Sequence, residues 1–439
     1  MRAADASVGD RVGPLTDGEI DALFAPLAGA GKIALAVSGG ADSLALLLAA
    51  DRWRRRGADR PAVVVLTVNH GLRTESRGEA EAVVAIAEAR GLGARLLTWA
   101  GPRPTADIEA AARLARYGLL LAACREIGAS HLAVAHHQND VAETFLLRFR
   151  RRAGVFGLAA MRPAIDLGGV TLVRPFLDVP RARLAATTAA AGLTPADDPM
   201  NRDPRFERAQ VRALIPTMAA AGVTAAALAE AAREFRAAAD AIDEATSEII
   251  AEGATADALG VAWLTPRALA KAGEAVRVRV LARVMLAVGG DDYAPGYRQL
   301  AALVQGLGDR RLKRTLGGVV IQTRAGRVCF YREVGRQGLT TVPAAAGVVW
   351  DRRFATRIGA TAAQGLTIGP LGEMARRELG LTGGEHPPGA IAASPAFRLG
   401  DEIIAGPAVS QSIGLPAAVA LATQRLAHPP LFPAFTTAA

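Results

Sequence analysis

Four short aliphatic runs in the first third of the chain each stop at a polar turn, and a longer helical stretch follows each one. The runs are residues 33–37 (IALAV), 62–68 (AVVVLTV), 94–99 (ARLLTW) and 131–135 (HLAVA). The helical stretches span 44–50, 79–90, 106–126 and 141–151. Strands this apolar must be covered on both faces, and helices between consecutive strands supply the cover. The pattern therefore predicts an α/β domain built on a parallel sheet. Such sheets take ligands beyond the carboxyl ends of their strands. The polar residues that follow Val37, Val68 and Ala135 are expected to face one site.

The first of these turns is Ser38-Gly39-Gly40-Ala41-Asp42-Ser43. Glycine lets the backbone approach a phosphate closely, and the start of a helix offers N–H donors to an anion. Ser38 and Ser43 add hydroxyl donors. Asp42 repels phosphate unless Mg2+ accompanies it, an ion held by one or two carboxylates together with phosphate oxygens. A plainer reading makes the turn an ordinary strand-to-helix connection with Asp42 as the helix cap. Spacing alone leaves both open. The Gly-x-x-x-x-Gly-Lys-Ser/Thr phosphate loop is absent, because no lysine follows these glycines.

Three further clusters sit at strand ends or on the following helices. In residues 68–81 (VNHGLRTESRGEAE), His70, Gly71 and Arg73 occupy a ligand-facing position or a capped turn. In residues 111–120 (AARLARYGLL), Arg113, Arg116 and Tyr117 are three and four apart and share a helix face, either as ligand contacts or as a solvated basic face. Residues 133–154 (AVAHHQNDVAETFLLRFRRRAG) place His136, His137, Asn139 and Asp140 directly after a buried strand. Asp140 and Glu143 lie three apart on the next helix, a spacing suited to a cation, either Mg2+ or an ammonium group. Arg148, Arg150, Arg151 and Arg152 follow and suit nucleic-acid phosphate. Charged loops at 174–184 and 197–212 close the domain.

Near Met218 the pattern changes. Residues 219–250 are alanine-rich with a helical period, and helices are expected to continue to about Val304. Residues 312–333 (LKRTLGGVVIQTRAGRVCFYRE) read as a β-hairpin turning at Ala325-Gly326, and 335–347 as a linker. Three domains are expected: 1–217, α/β; 218–336, mainly helical and ending in the hairpin; 347–439, a small α+β domain.

The formal net charge of +9 and pI of about 10.4 suit a polyanionic partner such as nucleic acid. Lys32, Lys271 and Lys313 are the only lysines, which leaves 48 of the 51 basic residues as arginine. Basic contacts here come from guanidinium groups that can pair bidentately with phosphate. Cys124 and Cys329 are far apart and form no CxxC pair, which argues against a thiolate metal site or redox pair and suits a reducing compartment. The chain opens with no basic-then-apolar leader pattern and carries no run of about 20 apolar residues, so a cytoplasmic protein with no membrane association is expected.

The string Ser-Gly-Gly-x-Asp-Ser resembles the loop of the PP-loop ATP pyrophosphatases, which split ATP between its α and β phosphates. The ordered set of clusters resembles one family within that superfamily, tRNA(Ile)-lysidine synthase. There the loop is followed by Asp-His-Gly-Leu-Arg, Ala-Arg-x-x-Arg-Tyr, His-His-x-Asp-Asp-x-x-Glu-Thr, Arg-Pro-Leu, and a loop of the form Asp-x-Ser-Asn-x-Asp ending in arginines. This chain offers a match to each, in order, across about residues 30 to 215. It departs at Asn69 and Asn139, where the family has Asp, at Met200, where it has Ser, and at Ala209-Gln210. The C-terminal half matches in general character only.

The resemblance implies a Rossmann-like PP-loop domain with a parallel sheet, followed by a mainly helical domain and a small α+β C-terminal domain that grip tRNA. It implies an ATP-dependent C–N ligase. ATP adenylates the C2 oxygen of the wobble cytidine in the isoleucine tRNA with a CAU anticodon, and the ε-amine of L-lysine then displaces AMP to give lysidine. Ser38, Gly39, Gly40, Ala41, Asp42, Ser43 and His70 would bind ATP. Asp42 and Asp140 would hold Mg2+, with Asn139 able to ligate only through its carbonyl oxygen. Asp42, Arg113, His136, Asp140 and Glu143 would form the catalytic set, Arg113 at the α-phosphate or the adenylated base and Glu143 at the metal or the lysine ammonium. Other readings are a PP-loop tRNA enzyme of the 2-thiocytidine type, against which the two isolated cysteines count, and a small-molecule PP-loop enzyme, which leaves the basic C-terminal half unexplained. A tRNA-binding protein with a decayed active site is a further one, raised by Asn69 and Asn139.

Overall fold

A six-stranded sheet organises the first part of the chain. The computed structural model describes residues 13–69, 71, 76–99, 108–196, 205–291, 293–335, 338–345, 348–358, 365–382, 384–409 and 421–425, with backbone alone for 108–113 and 421–425. These fall into two compact units that meet in sequence between Ala239 and Asp240.

In the first unit the strands are β1 (Lys32–Ala36), β2 (Ala62–Asn69), β3 (Gly93–Thr98), β4 (His131–Ala133), β5 (Ala164–Asp166) and β6 (Thr171–Val173). They lie in the order β3-β2-β1-β4-β6-β5. All neighbours are parallel except β5, which pairs antiparallel with β6 at one edge. The helices are α1 (Asp17–Phe24), α2 (Ala41–Arg55), α3 (Ser76–Glu88), α4 (Ile108–Ile127), α5 (Gln138–Arg150), α6 (Val155–Leu158), α7 (Arg181–Ala190), α8 (Glu207–Ala220) and α9 (Ala225–Gly253), the last running past the boundary between units. Chain order reverses on either side of β1, whose neighbours are β2 and β4. That reversal opens a crevice at the carboxyl ends of β1 and β4, the usual ligand position in open α/β sheets. The expected parallel α/β domain is present.

The core under this crevice is aliphatic. Leu44, Leu47 and Trp53 of α2 pack against Ile33, Leu35, Val63 and Val65 of the sheet and against Phe24 and Phe176. A second cluster, with Val141, Phe145, Ile215, Leu228 and Ala232, joins α5, α8 and α9. A buried ion pair ties α7 to α1: Arg183 of α7 donates to both oxygens of Glu19 at 2.7 and 2.9 Å. Its guanidinium, aided by the capping bonds of Thr16, holds the Glu19 carboxyl down at about 2 against the opposing effect of burial.

The second unit centres on a five-stranded antiparallel sheet. Its strands, in spatial order, are Ala254–Ala256, Ala262–Leu264, Arg327–Arg332, Val319–Arg324 and Lys313–Leu316. The helices Glu274–Gly289 and Tyr297–Gly306 carry Leu281, Val288 and Leu300 into a core with Ile321 and Phe330 of the sheet. The helical run expected up to about Val304 is thus interrupted by two strands. The reason is local: Asp257 accepts from the N–H groups of Leu259 and Val261 and turns the chain, and the apolar stretch after it pairs with Val328–Phe330. The hairpin turns at Ala325-Gly326, with φ of 49° and 75°. Two positive φ values define the turn that matches strand twist in tight hairpins. Beyond it lie a four-stranded and a three-stranded antiparallel sheet.

Cys124 and Cys329 are both free and buried, and burial pushes each thiol up to about 11. Among the described residues no single helix is long and apolar enough to cross a membrane.

Candidate active site

The loop from Ser38 to Ser43 leaves β1 at the crevice. Gly39 has φ of 88°, a left-handed conformation that an L side chain rarely adopts. A Cβ there would meet only ordinary contacts, with Val83 Cγ2 at 3.5 Å and Ala196 Cβ at 3.6 Å, so the requirement is conformational rather than steric. Ser43 ties the loop to itself: its Oγ donates to Gly40 O at 2.9 Å, accepts from Ser38 N at 3.1 Å and lies 3.3 Å from Ser38 Oγ. Two outside bonds fix its position, Ala196 N to Gly39 O at 3.0 Å and Thr188 Oγ1 to Ala41 O at 2.8 Å.

Gly40 is the N-cap of α2, and no side chain caps the helix. Asp42 therefore does not act as the cap. The first N–H groups of a helix have no intrahelical acceptors, and uncapped they form a ready anion site.

Asp42 is held from two sides. His137 Nε2 lies 3.5 Å from its Oδ2, and Arg181 Nε lies 3.5 Å from the same oxygen. The other oxygen, Oδ1, is buried and has no hydrogen-bond partner. Burial pushes the Asp42 carboxyl up. The hydrogen bond and charge of His137, then Arg181 and Arg212, outweigh it, and the net shift is downward. His137 is itself fixed as the N-cap of α5. Its Nδ1 accepts from Asp140 N at 3.3 Å, and its own N–H donates to Asp140 Oδ2 at 3.0 Å. A neutral ring that accepts at Nδ1 carries its proton on Nε2, the nitrogen that faces Asp42. Burial lowers the imidazole pKa, but the hydrogen bond to Asp42 and the charges of Asp140, Asp42 and Glu143 raise it beyond that.

The other site residues expected from sequence are placed as follows. Asp140 joins Asp42 through His137. Glu143 is fully buried and takes a bidentate pair from Arg212 of α8, at 2.6 and 3.0 Å. His136 meets Arg174, its Nδ1 accepting from Arg174 Nε at 3.3 Å. Arg113 lies on α4 with only its backbone described, and His70 lies outside the described residues, as do Arg73 and Met200. Among the arginines after Glu143, Arg148 is buried and donates to Gly157 O and Ala160 O, so it clamps the turn after α5. Arg150 and Arg151 pair with Glu207, and Arg152 is exposed.

Both amide departures keep their acceptor. Asn69 Oδ1 takes Gly71 N at 3.0 Å and Ser76 Oγ at 2.7 Å, which ties the end of β2 to the first residue of α3. Asn139 Oδ1 takes the N–H of Arg181, the first residue of α7, at 3.1 Å. Asn139 thereby holds the residue whose guanidinium approaches Asp42. The sequence reading named His137 beside His136 but left it out of the catalytic set, and it gave Arg181 and Arg212 no role within the charged loops at 174–184 and 197–212. The role of His137 was accessible: a side chain three residues before Asp140 at a helix start is a capping-box spacing.

A crevice at the switch point of a parallel sheet, with an uncapped helix start and a half-satisfied carboxylate, suits a nucleotide's phosphates with their metal. Residues 15–218 match the PP-loop domain family, so this is a PP-loop, ATP-utilising enzyme. Relatives extend well beyond that domain. The tRNA(Ile)-lysidine synthase of Bradyrhizobium sp. strain BTAi1 is 43% identical over 70% of this chain and 86% of its own length. That of Ruegeria pomeroyi is 34% identical over 86% of this chain and 88% of its own. The chain belongs to the tRNA(Ile)-lysidine synthase family. Among solved structures it also matches the U34-tRNA thiolase NcsA from Methanococcus maripaludis, at 17% identity and a TM-score of 0.43, over 50% of this chain and 76% of that one.

Proposed function

We propose that this chain converts the wobble cytidine of the CAU-anticodon isoleucine tRNA to lysidine with ATP and L-lysine. In the first step the C2 oxygen of the base attacks the α-phosphorus of ATP, the α–β bridging bond breaks, and pyrophosphate leaves. In the second the lysine ε-amine attacks C2, the C2–O bond breaks, AMP leaves with that oxygen, and the amine loses a proton.

The observation that carries this reading is the Asp42 carboxylate, set beside an uncapped helix start with Oδ1 buried and unpartnered. The N–H groups at the start of α2 and the hydroxyls of Ser38 and Ser43 suit the pyrophosphate. Mg2+ fits the remaining valence: Asp42 and Asp140 would hold it, and it would offset charge on the leaving group. Among the described residues no group of three or more His, Cys, Asp or Glu side chains is arranged to hold a metal unaided, which suits an ion carried in with phosphate oxygens. His137 keeps Asp42 charged and oriented, and Arg181 and Arg212 add positive charge close to the phosphates. With Glu143 neutralised by Arg212, Asp140 is the carboxylate left to share the metal with Asp42. ATP and tRNA substrates make the cytoplasm the compartment of this reaction.

Incubation with ATP, labelled lysine and total tRNA tests the proposal. Label is expected on the CAU-anticodon isoleucine tRNA and on no other. Its absence there overturns the reading, and equal labelling of methionine tRNA overturns the specificity.

A further inference from the structure

Phe149 ends the apolar stripe of α5 with its side chain in water, 63% exposed. It is not a loose ring. Phe149 lies parallel to Phe145, with centroids 6.3 Å apart and 9° between the planes, and Phe145 in turn packs on Phe235 at 6.0 Å. One face of the ring is backed by protein, and the side chain opens to solvent.

The helix then closes with Arg152 N bonded to Phe149 O and Ala153 N to Arg148 O, the paired bonds of a glycine-type helix end. The residue at the left-handed position is Arg152, with φ of 55°. A side chain there costs backbone energy that glycine avoids. The guanidinium is exposed, with no partner among the described residues, and the bond from Arg152 N to Phe149 O keeps the two residues adjacent at the helix end. Arg150 and Arg151 are exposed beside it and share the carboxylate of Glu207, a net positive pair. An exposed, backed aromatic ring next to cations is how proteins hold unpaired bases: the base stacks on the ring, and the strand's phosphates meet the charges.

We infer that Phe149 and Arg152 form a stacking platform for an unpaired base of the RNA substrate. This rests on the lysidine-forming reading above. Phe149 is nine residues beyond Asp140, about 14 Å along α5 and half a turn out of phase with it. The base it takes is therefore a neighbour a few nucleotides from the reacting cytidine, and the platform fixes the path of the loop rather than the chemistry.

The test is equilibrium binding of the full chain to a CAU-anticodon isoleucine tRNA transcript. F149A and F149L are both expected to weaken binding about tenfold, because neither side chain stacks, while F149W stays near wild type. R152G is expected to weaken binding less, to flatten its salt dependence, and to raise the melting temperature by removing the left-handed side chain. Unchanged binding in F149A overturns the inference. So does wild-type binding in F149L, which would make the ring a packing residue, and so does a change confined to self-association on sizing, which would make the patch a contact between copies. Wild-type protein that fails to attach lysine to this tRNA defeats the functional reading instead, and the two failures are read in separate assays.

Discussion

Asp42 is charged, largely enclosed and only half satisfied, an arrangement with no structural benefit of its own. A buried oxygen without a partner is costly. Replacing Asp42 by Ala is expected to abolish lysine incorporation while tRNA affinity stays within about twofold, because the arginines proposed to meet RNA lie elsewhere. Incorporation and binding assays on the same preparation check this, and normal turnover would remove Asp42 from the mechanism. Asn139 works one step back. N139A frees the first N–H of α7 and loosens Arg181, with an expected loss of about 1 kcal/mol in stability and a fall in kcat at unchanged KM for tRNA. N139D keeps the acceptor and should restore both. At this scale the sequence was partly legible. The motif pointed to Asp42 and Asp140, and both flank His137. It could not choose between two adjacent histidines, since a strand end sends neighbouring side chains in opposite directions and only the register of α5 decides which reaches the loop.

At the scale of elements, the site depends on how α2, α5 and α7 converge on the end of β1. α7 is tied to α1 by the buried Glu19–Arg183 pair, and it also pins the loop through Thr188. The Glu19 carboxyl sits at about 2 against an ordinary 4.5. A depressed carboxylate adds stability that is complete above its unfolded pKa and is lost as pH falls toward the folded one. The difference in melting temperature between wild type and E19Q is therefore expected to be constant above about pH 5 and to shrink between 4.5 and 2. A difference that ignores pH would mean that the packing of the side chain, not its charge, holds α1. The strand–helix alternation was readable because fully buried strands are continuous in apolar residues. The ends of α5 were not: its first turn is polar, so periodicity places the start at residue 141 whereas the His137 cap starts the helix at Gln138.

Over the whole molecule, charge and hydropathy read differently. The excess of arginine predicts an RNA affinity that falls steeply with salt, about hundredfold or more between roughly 50 and 200 mM, measurable by filter binding. A shallow dependence would mean that the net charge of +9 is spread over faces that never meet RNA. The second unit was the least legible part. Its strands Ala254–Ala256 and Ala262–Leu264 are three residues each and pair with each other, and Ala262–Leu264 also pairs with a hairpin strand over sixty residues later, a partner too distant for any local period to record. The two thiols have a practical consequence. Both are sealed in the interior and hard to ionise, so alkylating probes should pass the native protein by. A single cysteine introduced at Arg152 would then be the only reactive handle on the molecule, and a fluorophore placed there would report the arrival of RNA at α5 in real time, with no background to subtract.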